Sequence, residues 1–191
     1  MTEQQSFVDK VLARWDDYDS RVCVGLDPDP SKFPVKVNNV VEFCKSVVDA
    51  TADYVCAYKP QFAHFAALGM ENELSELIEW IHVEHNEIPV ILDAKRGDIG
   101  STADLYAREV FERYCADAVT LNPYLGIESI EPYLQFPNKG IFLLCRTSNQ
   151  GSDWLQNYPE DSPTFLRIAK KAAELSEVNN VMLVVGGTYP A

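Results

Sequence analysis

Long apolar runs are missing from this 191-residue sequence. None approaches the roughly 18 consecutive apolar residues of a membrane-crossing helix. The polar, amphipathic opening MTEQQSFVDKVLARWDDYDS lacks the basic start and apolar stretch of a secretory signal. Basic residues are few: 16 Lys and Arg stand against 29 Asp and Glu, for a formal net charge of −13. That balance argues against non-specific nucleic-acid binding, which needs cations to neutralise phosphates. A local cationic pocket for a small anion remains compatible with it. The five cysteines, Cys23, Cys44, Cys56, Cys115 and Cys145, form no CxxC pair, so neither a zinc site nor a disulfide framework is signalled. Most lie in apolar runs, as small core residues do, and a reducing compartment follows. Gly97 and Gly100 do not complete a G-x-G-x-x-G fingerprint, and there is no Walker A loop. These absences predict a soluble cytoplasmic protein without a membrane or nucleic-acid partner.

What is present is a regular alternation. Phe7, Val11, Leu12 and Trp15 fall at helical spacing and predict an opening helix. RVCVGL from Arg21, DYVCAY from Asp53, PVILDA from Pro89, DAVTLN from Asp117, GIFLLC from Gly140 and VMLVVG from Val181 read as strands. They are apolar on both faces, as in a parallel sheet covered on both sides. Helical periodicity marks Val40 to Ala50, Asn72 to Val83, Leu105 to Tyr114, Ile127 to Leu134 and Thr164 to Leu175. Ser101 and Ser162 are expected as N-caps. Unbroken strand–helix alternation predicts an α/β fold of one domain over residues 1–191, with a parallel sheet and helices outside it. An open doubly wound sheet and a (β/α)₈ barrel both fit, and in both a ligand binds at the carboxyl ends of the strands.

Those strand ends carry the polar residues: Asp27, Lys59, the trio Asp93, Lys95 and Asp98, then Asn122 with Pro123, then Arg146, Thr147 and Ser148, and finally GGTYP from Gly186. A single charge in such a loop is ordinary. Asp93 and Lys95, however, are two apart and share one side of a strand. Buried there without partners they would be costly, so they are expected to pair with each other, with Lys59 and Asp98, or with a ligand. A lysine among carboxylates stays an ammonium and can protonate a developing carbanion. A carboxylate facing a substrate carboxylate at 4 Å is repelled by roughly 4 kcal/mol at an effective dielectric near 20. That repulsion aids the reaction if it is relieved when CO₂ leaves neutral. His82 and His85, three apart, could hold a metal, but a solvated helix face is expected. His64 receives no role.

VGLDPDP, YKPQFAHF, LDAKRGDIGSTADLYA, TLNPYLG, LCRTSNQGS and VVGGTYP occur in this order and together resemble the orotidine 5'-phosphate decarboxylase family, in its branch with DAKRGDIGSTA and NPYxG motifs. The resemblance implies a (β/α)₈ TIM barrel, an obligate homodimer with shared active sites, and decarboxylation of orotidine 5'-phosphate to UMP with no cofactor and no metal. It makes Lys95 the proton donor and Asp93 the carboxylate beside the leaving CO₂. Lys59 and Asp27 become ribose contacts that complete the charge array. Asp98 and Thr102 would reach into the neighbouring subunit's site, and Ser148 would meet the pyrimidine amide. Asn122 belongs to a branch motif and is grouped with the substrate contacts; Arg96 is expected to be an outward, solvated or interface residue. The family continues beyond VVG-x-TYP with two further βα units and a phosphate loop, so about six units are expected here, in a chain weakly stable or self-associating and poorly active by itself. Two alternatives stay open: a sister barrel that acts on a keto-sugar phosphate with Mg²⁺ and an acid at the place of Lys59, and a non-enzymatic interaction fragment.

Overall fold

The computed structural model describes residues 5–34, 39–176 and 180–188. Tyr189 and Pro190, the end of the GGTYP motif, lie outside the described residues. Helix α1 (Phe7–Tyr18) opens on a capping box: Ser6 Oγ accepts from Asp9 N–H at 3.2 Å, and Asp9 accepts from Ser6 N–H at 3.2 Å. Strand and helix then alternate through β1 (Cys23–Leu26), α2 (Val40–Thr51), β2 (Ala57–Pro60), α3 (Phe62–Ala66), α4 (Glu71–Glu84), β3 (Ile91–Arg96), α5 (Gly100–Arg108), β4 (Ala118–Leu121), α6 (Glu131–Leu134), β5 (Gly140–Arg146), α7 (Asp153–Gln156), α8 (Thr164–Leu175) and β6 (Val181–Val185).

Every strand pairing is parallel, and the strands stand side by side in chain order. β1 and β2 form one ladder; β3 to β6 form a second. The two meet through isolated bridges, Tyr58 with Val90 and Gln61 with Asp93. Parallel strands in chain order, each crossing over through helix, build the wall of a (β/α) barrel. The core lies between this wall and the helices. Leu74, Leu77, Ile78 and Ile81 of α4 fall at three- and four-residue spacing and bury fully against Tyr58, Val90 and Leu92. β4 is buried at every position, as a strand covered on both faces should be. β1 and β6 are not: Cys23 and Gly25 are exposed, and β6 is half-buried. They are the outer strands of the described sheet, with a neighbour on one side only.

Several local expectations need correction. The second strand begins at Ala57 because Ala52–Tyr54 forms a 3₁₀ turn. Helix α5 starts at Gly100, so Ser101 already lies inside its first turn and does not cap it. Pro163 precedes α8 and its carbonyl accepts from Leu166 N–H at 3.0 Å, which leaves Ser162 one position too early to cap. The span expected as one helix from Leu105 to Tyr114 is the end of α5 followed by a π turn, Glu109–Arg113.

Helix α1 covers the amino ends of the strands. Phe7 packs with Ala57, Ile91 and Ala118, each the first residue of its strand. Its ring also lies against Gly140, where a Cβ would fall 2.4 Å from Phe7 Cδ1. Beside it Asp117, 7% exposed, gathers three elements. Its Oδ1 accepts from Lys10 Nζ of α1 at 3.0 Å. Its Oδ2 meets His82 Nε2 of α4 at 2.7 Å and accepts from Val90 N–H at 2.9 Å. Burial alone would raise this carboxyl's pKa; the His82 bond, the charges of His82 and Lys10 and the Val90 amide together hold it well below the usual carboxylate range. His85 turns instead to Asp49, at 3.1 Å. The histidine pair is therefore neither a solvated face nor a joint ligand set, because each ring answers a different carboxylate.

Candidate active site

At the carboxyl ends of the strands, Asp93 is 6% exposed and its carboxylate is saturated with donors from three strands. Lys95 Nζ donates to Oδ1 at 2.7 Å, as does Thr120 Oγ1 of β4 at 2.7 Å. Lys59 Nζ of β2 donates to Oδ2 at 3.1 Å, and Gln61 Nε2 at 3.0 Å. Burial pushes the Asp93 carboxyl up, but the Lys95 and Thr120 bonds and the two ammonium charges outweigh it and leave its pKa lowered. One buried carboxylate thus bridges two lysines. Charge-assisted bonds of this kind are shorter and stronger than neutral ones.

The backbone around the array is unusual. Lys95 sits at φ 47°, in the left-handed region that costs a residue with a Cβ roughly 1–2 kcal/mol. The β3–β4 register shifts between Leu92 and Arg96, so the strand bulges where Lys95 turns towards Asp93. Asn122 N–H donates to Arg96 O at 2.7 Å, and a Cβ on Gly97 would lie 2.8 Å from Asn122 O; a side chain there would push the end of β4 away.

Arg96 is not an outward, solvated residue. Its side chain is 16% exposed, and its Nε and Nη2 both donate to Glu109 Oε2, at 3.0 and 2.8 Å. Its guanidinium lies over Phe62 at 4.3 Å and Tyr106 at 4.6 Å. Two rings and an acid brought in from the helices make it a half-buried clamp behind β3.

The remaining sequence candidates are more spread out. Asp27 is exposed at the end of β1, the strand that pairs with β2 and its Lys59. Ser148 is exposed and lines an open cavity of about 650 Å³ with Lys95, Thr147, Gln156 and Gly186. Gly186 is required there, because a Cβ would fall 2.8 Å from Ser148 N and Cα. Arg146 is buried beneath this rim, bonded to Ser152 Oγ at 2.6 Å and paired with Asp153. Asp98 does not join the Asp93 cluster; its Oδ1 accepts from Ile99 N–H at 2.8 Å. Thr102, one turn on, is exposed on α5. Asn122 caps the turn after β4, accepting from Tyr124 N–H at 3.1 Å, and borders a separate cavity between that turn and α8. Gln61 and Thr120 join the site as well; they carry no charge, so the pattern of charged strand ends does not reveal them. Gln61 is two residues beyond Lys59, the same spacing that singled out Asp93 and Lys95; Thr120 gave no signal inside the apolar run AVTL.

A carboxylate held ionised between two ammonium groups at the open end of a parallel sheet suits chemistry in which negative charge is lost from one atom and a proton delivered to another. Comparison with known proteins agrees. The model of the orotidine 5'-phosphate decarboxylase / HUMPS family matches residues 20–188. The orotidine 5'-phosphate decarboxylase of Dechloromonas aromatica (strain RCB) is 52% identical over 192 residues, covering 97% of this chain and 71% of its own length. That of Azoarcus sp. (strain BH72) is 51% identical, again covering 97% of this chain and 71% of its own. The solved structure of Leishmania donovani OMP decarboxylase superposes with a TM-score of 0.86 at 40% identity, covering 97% of this chain and 72% of that one.

Proposed function

This chain belongs to the orotidine 5'-phosphate decarboxylase / HUMPS family, and from that premise we propose how its charge array performs the reaction. The fold is a TIM barrel, and the activity is that of a carboxy-lyase converting orotidine 5'-phosphate to UMP in pyrimidine biosynthesis. The substrate's carboxylate lies against Asp93, whose own charge is fixed by its four donors. The repulsion, roughly 4 kcal/mol at 4 Å and an effective dielectric of about 20, is relieved as the C6–carboxylate bond breaks and CO₂ departs. The electron pair stays on C6, and Lys95 Nζ–H gives its proton there, completing UMP; solvent restores the ammonium. Lys59 keeps Asp93 ionised from the other side and, with Asp27, holds the ribose. Ser148, on the rim of the cavity that Lys95 enters, meets the pyrimidine amide.

The reading extends to assembly. Half-buried Asp98 lies just before α5 and Thr102 is exposed in its first turn, beside exposed Ile99 and Leu105. Such a surface suits a second copy of the chain that receives these side chains in its own site, in a cytoplasmic homodimer. Among the described residues no helix is long and apolar enough to cross a membrane.

The observation that carries the proposal is the Asp93 carboxylate shared by Lys95 at 2.7 Å and Lys59 at 3.1 Å. The test is the absorbance decrease of orotidine 5'-phosphate on turnover, followed for the parent and for Lys95→Ala with and without EDTA. Loss of turnover in the variant, with the parent indifferent to EDTA, is expected. Full turnover by Lys95→Ala would remove the mechanism. An EDTA-sensitive turnover of a keto-sugar phosphate would favour the sister barrel, against which Lys59 already stands.

A further inference from the structure

Thr120 is a neutral residue inside the most buried strand, and it is 4% exposed. Its hydroxyl nevertheless touches the reacting pair twice. It donates to Asp93 Oδ1 at 2.7 Å and accepts from the backbone N–H of Lys95 at 3.0 Å. Lys95 Nζ reaches the same Oδ1 at 2.7 Å. The four groups close a ring: Lys95 amide, Thr120 hydroxyl, Asp93 carboxylate, Lys95 ammonium. The ring is centred on a residue whose left-handed backbone, at φ 47°, is the unfavourable one for a side chain. The hydroxyl's single proton is committed to Asp93, so its lone pairs remain for the Lys95 amide. β-Branching restricts the side-chain torsion that aims the hydroxyl.

We propose that Thr120 is a positioning residue for the decarboxylation. It touches neither substrate nor reacting carbon and acts through Lys95 and Asp93. Its hydroxyl holds the Lys95 backbone in the turned conformation and fixes the Asp93 oxygen that the ammonium addresses. The donor is thereby aimed at one point in space before substrate arrives, and small losses of such aim are expensive in rate. A valine at this place would fill the volume and keep the branch but could neither donate nor accept. The inference rests on the assignment of Lys95 as proton donor.

The experiment compares the parent, Thr120→Val, Thr120→Ser and Lys95→Ala in steady-state turnover of orotidine 5'-phosphate, with a thermal melt of each. Thr120→Val is expected to lower kcat about 10- to 100-fold, the loss of one or two bonds to a charged and a strained group, with KM within about threefold. Thr120→Ser, which retains the hydroxyl, should stay within about fivefold of the parent. The proposal is overturned if Thr120→Val keeps the parent kcat, if the loss lies in KM, or if Thr120→Ser falls as far as Thr120→Val, which would mark a packing role. Turnover by Lys95→Ala would instead overturn the donor assignment, and with it the basis for this one. An inactive Lys95→Ala beside a fully active Thr120→Val would sink the Thr120 assignment alone.

Discussion

Asp117→Asn, at the opposite end of the strands from the array, should destabilise the protein measurably while leaving its chemistry untouched. The substitution keeps the shape of the side chain and removes its charge. Three donors now converge on the carboxylate, from Lys10, His82 and Val90 N–H. An amide offers them one oxygen and turns an NH₂ towards the others. Breaking a buried ion pair by removing one partner costs about 3–5 kcal/mol. Lys10 and His82 retain 18% and 23% exposure of their side chains, so water can answer part of their loss, which places the effect near the lower end. About 3 kcal/mol in a chain of this size corresponds to a melting shift of roughly 6–12 °C. The pH dependence gives a second signature. The folded pKa of Asp117 is depressed, so its contribution is complete above the unfolded value near 4 and is lost as pH falls through that value towards the folded one. Thermal melts of parent and variant from pH 7 to pH 3 should show a constant gap that narrows below pH 4 by about 1.4 kcal/mol per unit. A variant that melts within 2 °C of the parent at pH 7 (about the effect of a neutral surface change), or a gap indifferent to acid, would refute the reasoning.

Two further substitutions test the clamps around the rim. Arg96→Met removes the bonds to Glu109 and the ring contacts while keeping an apolar stem; it should lower stability by about 2–4 kcal/mol, read as a lower denaturant midpoint, and an unchanged midpoint would show that the clamp is dispensable. Gly186→Ala forces a methyl to within 2.8 Å of the Ser148 backbone and should raise KM by moving the rim, with a stability cost of about 1–3 kcal/mol; parent-like KM and melting would place the clash elsewhere.

The parts of the site that lie close together in sequence are legible from the sequence alone. Asp93 and Lys95 share a strand face by their period of two, and the end of PVILDA announced that the face was near a rim. Lys59 followed from the same rule one strand earlier. Thr120, Glu109 and Phe62 were not readable, because each meets its partner across strands or helices and nothing local signals the meeting. Arg96 shows the limit well. As a charged residue beside Lys95 it read as solvated, and only the arrival of Phe62 and Tyr106 from two helices made burial favourable. His82 and His85 looked alike by spacing and parted company because Asp117 stands on one side and Asp49 on the other. The expected capping serines miss by single positions, the margin within which helix ends are decided by backbone context.

The narrow junction between β2 and β3 has a mechanical consequence. Full ladders run on either side of it, yet the junction itself is stitched by the bridges Tyr58–Val90 and Gln61–Asp93. The side chains that cross it at the rim are Lys59 and Gln61 from one bank and Asp93 from the other. The groups assigned to chemistry are therefore also the fastener of the wall's thinnest seam. Local opening begins where few backbone bonds hold, so a ligand that engages Lys59 and Asp93 together tightens the seam as it binds. Amide exchange at Tyr58, whose N–H donates to Pro89 O across the seam at 3.1 Å, would then report occupancy of a pocket that this amide does not line.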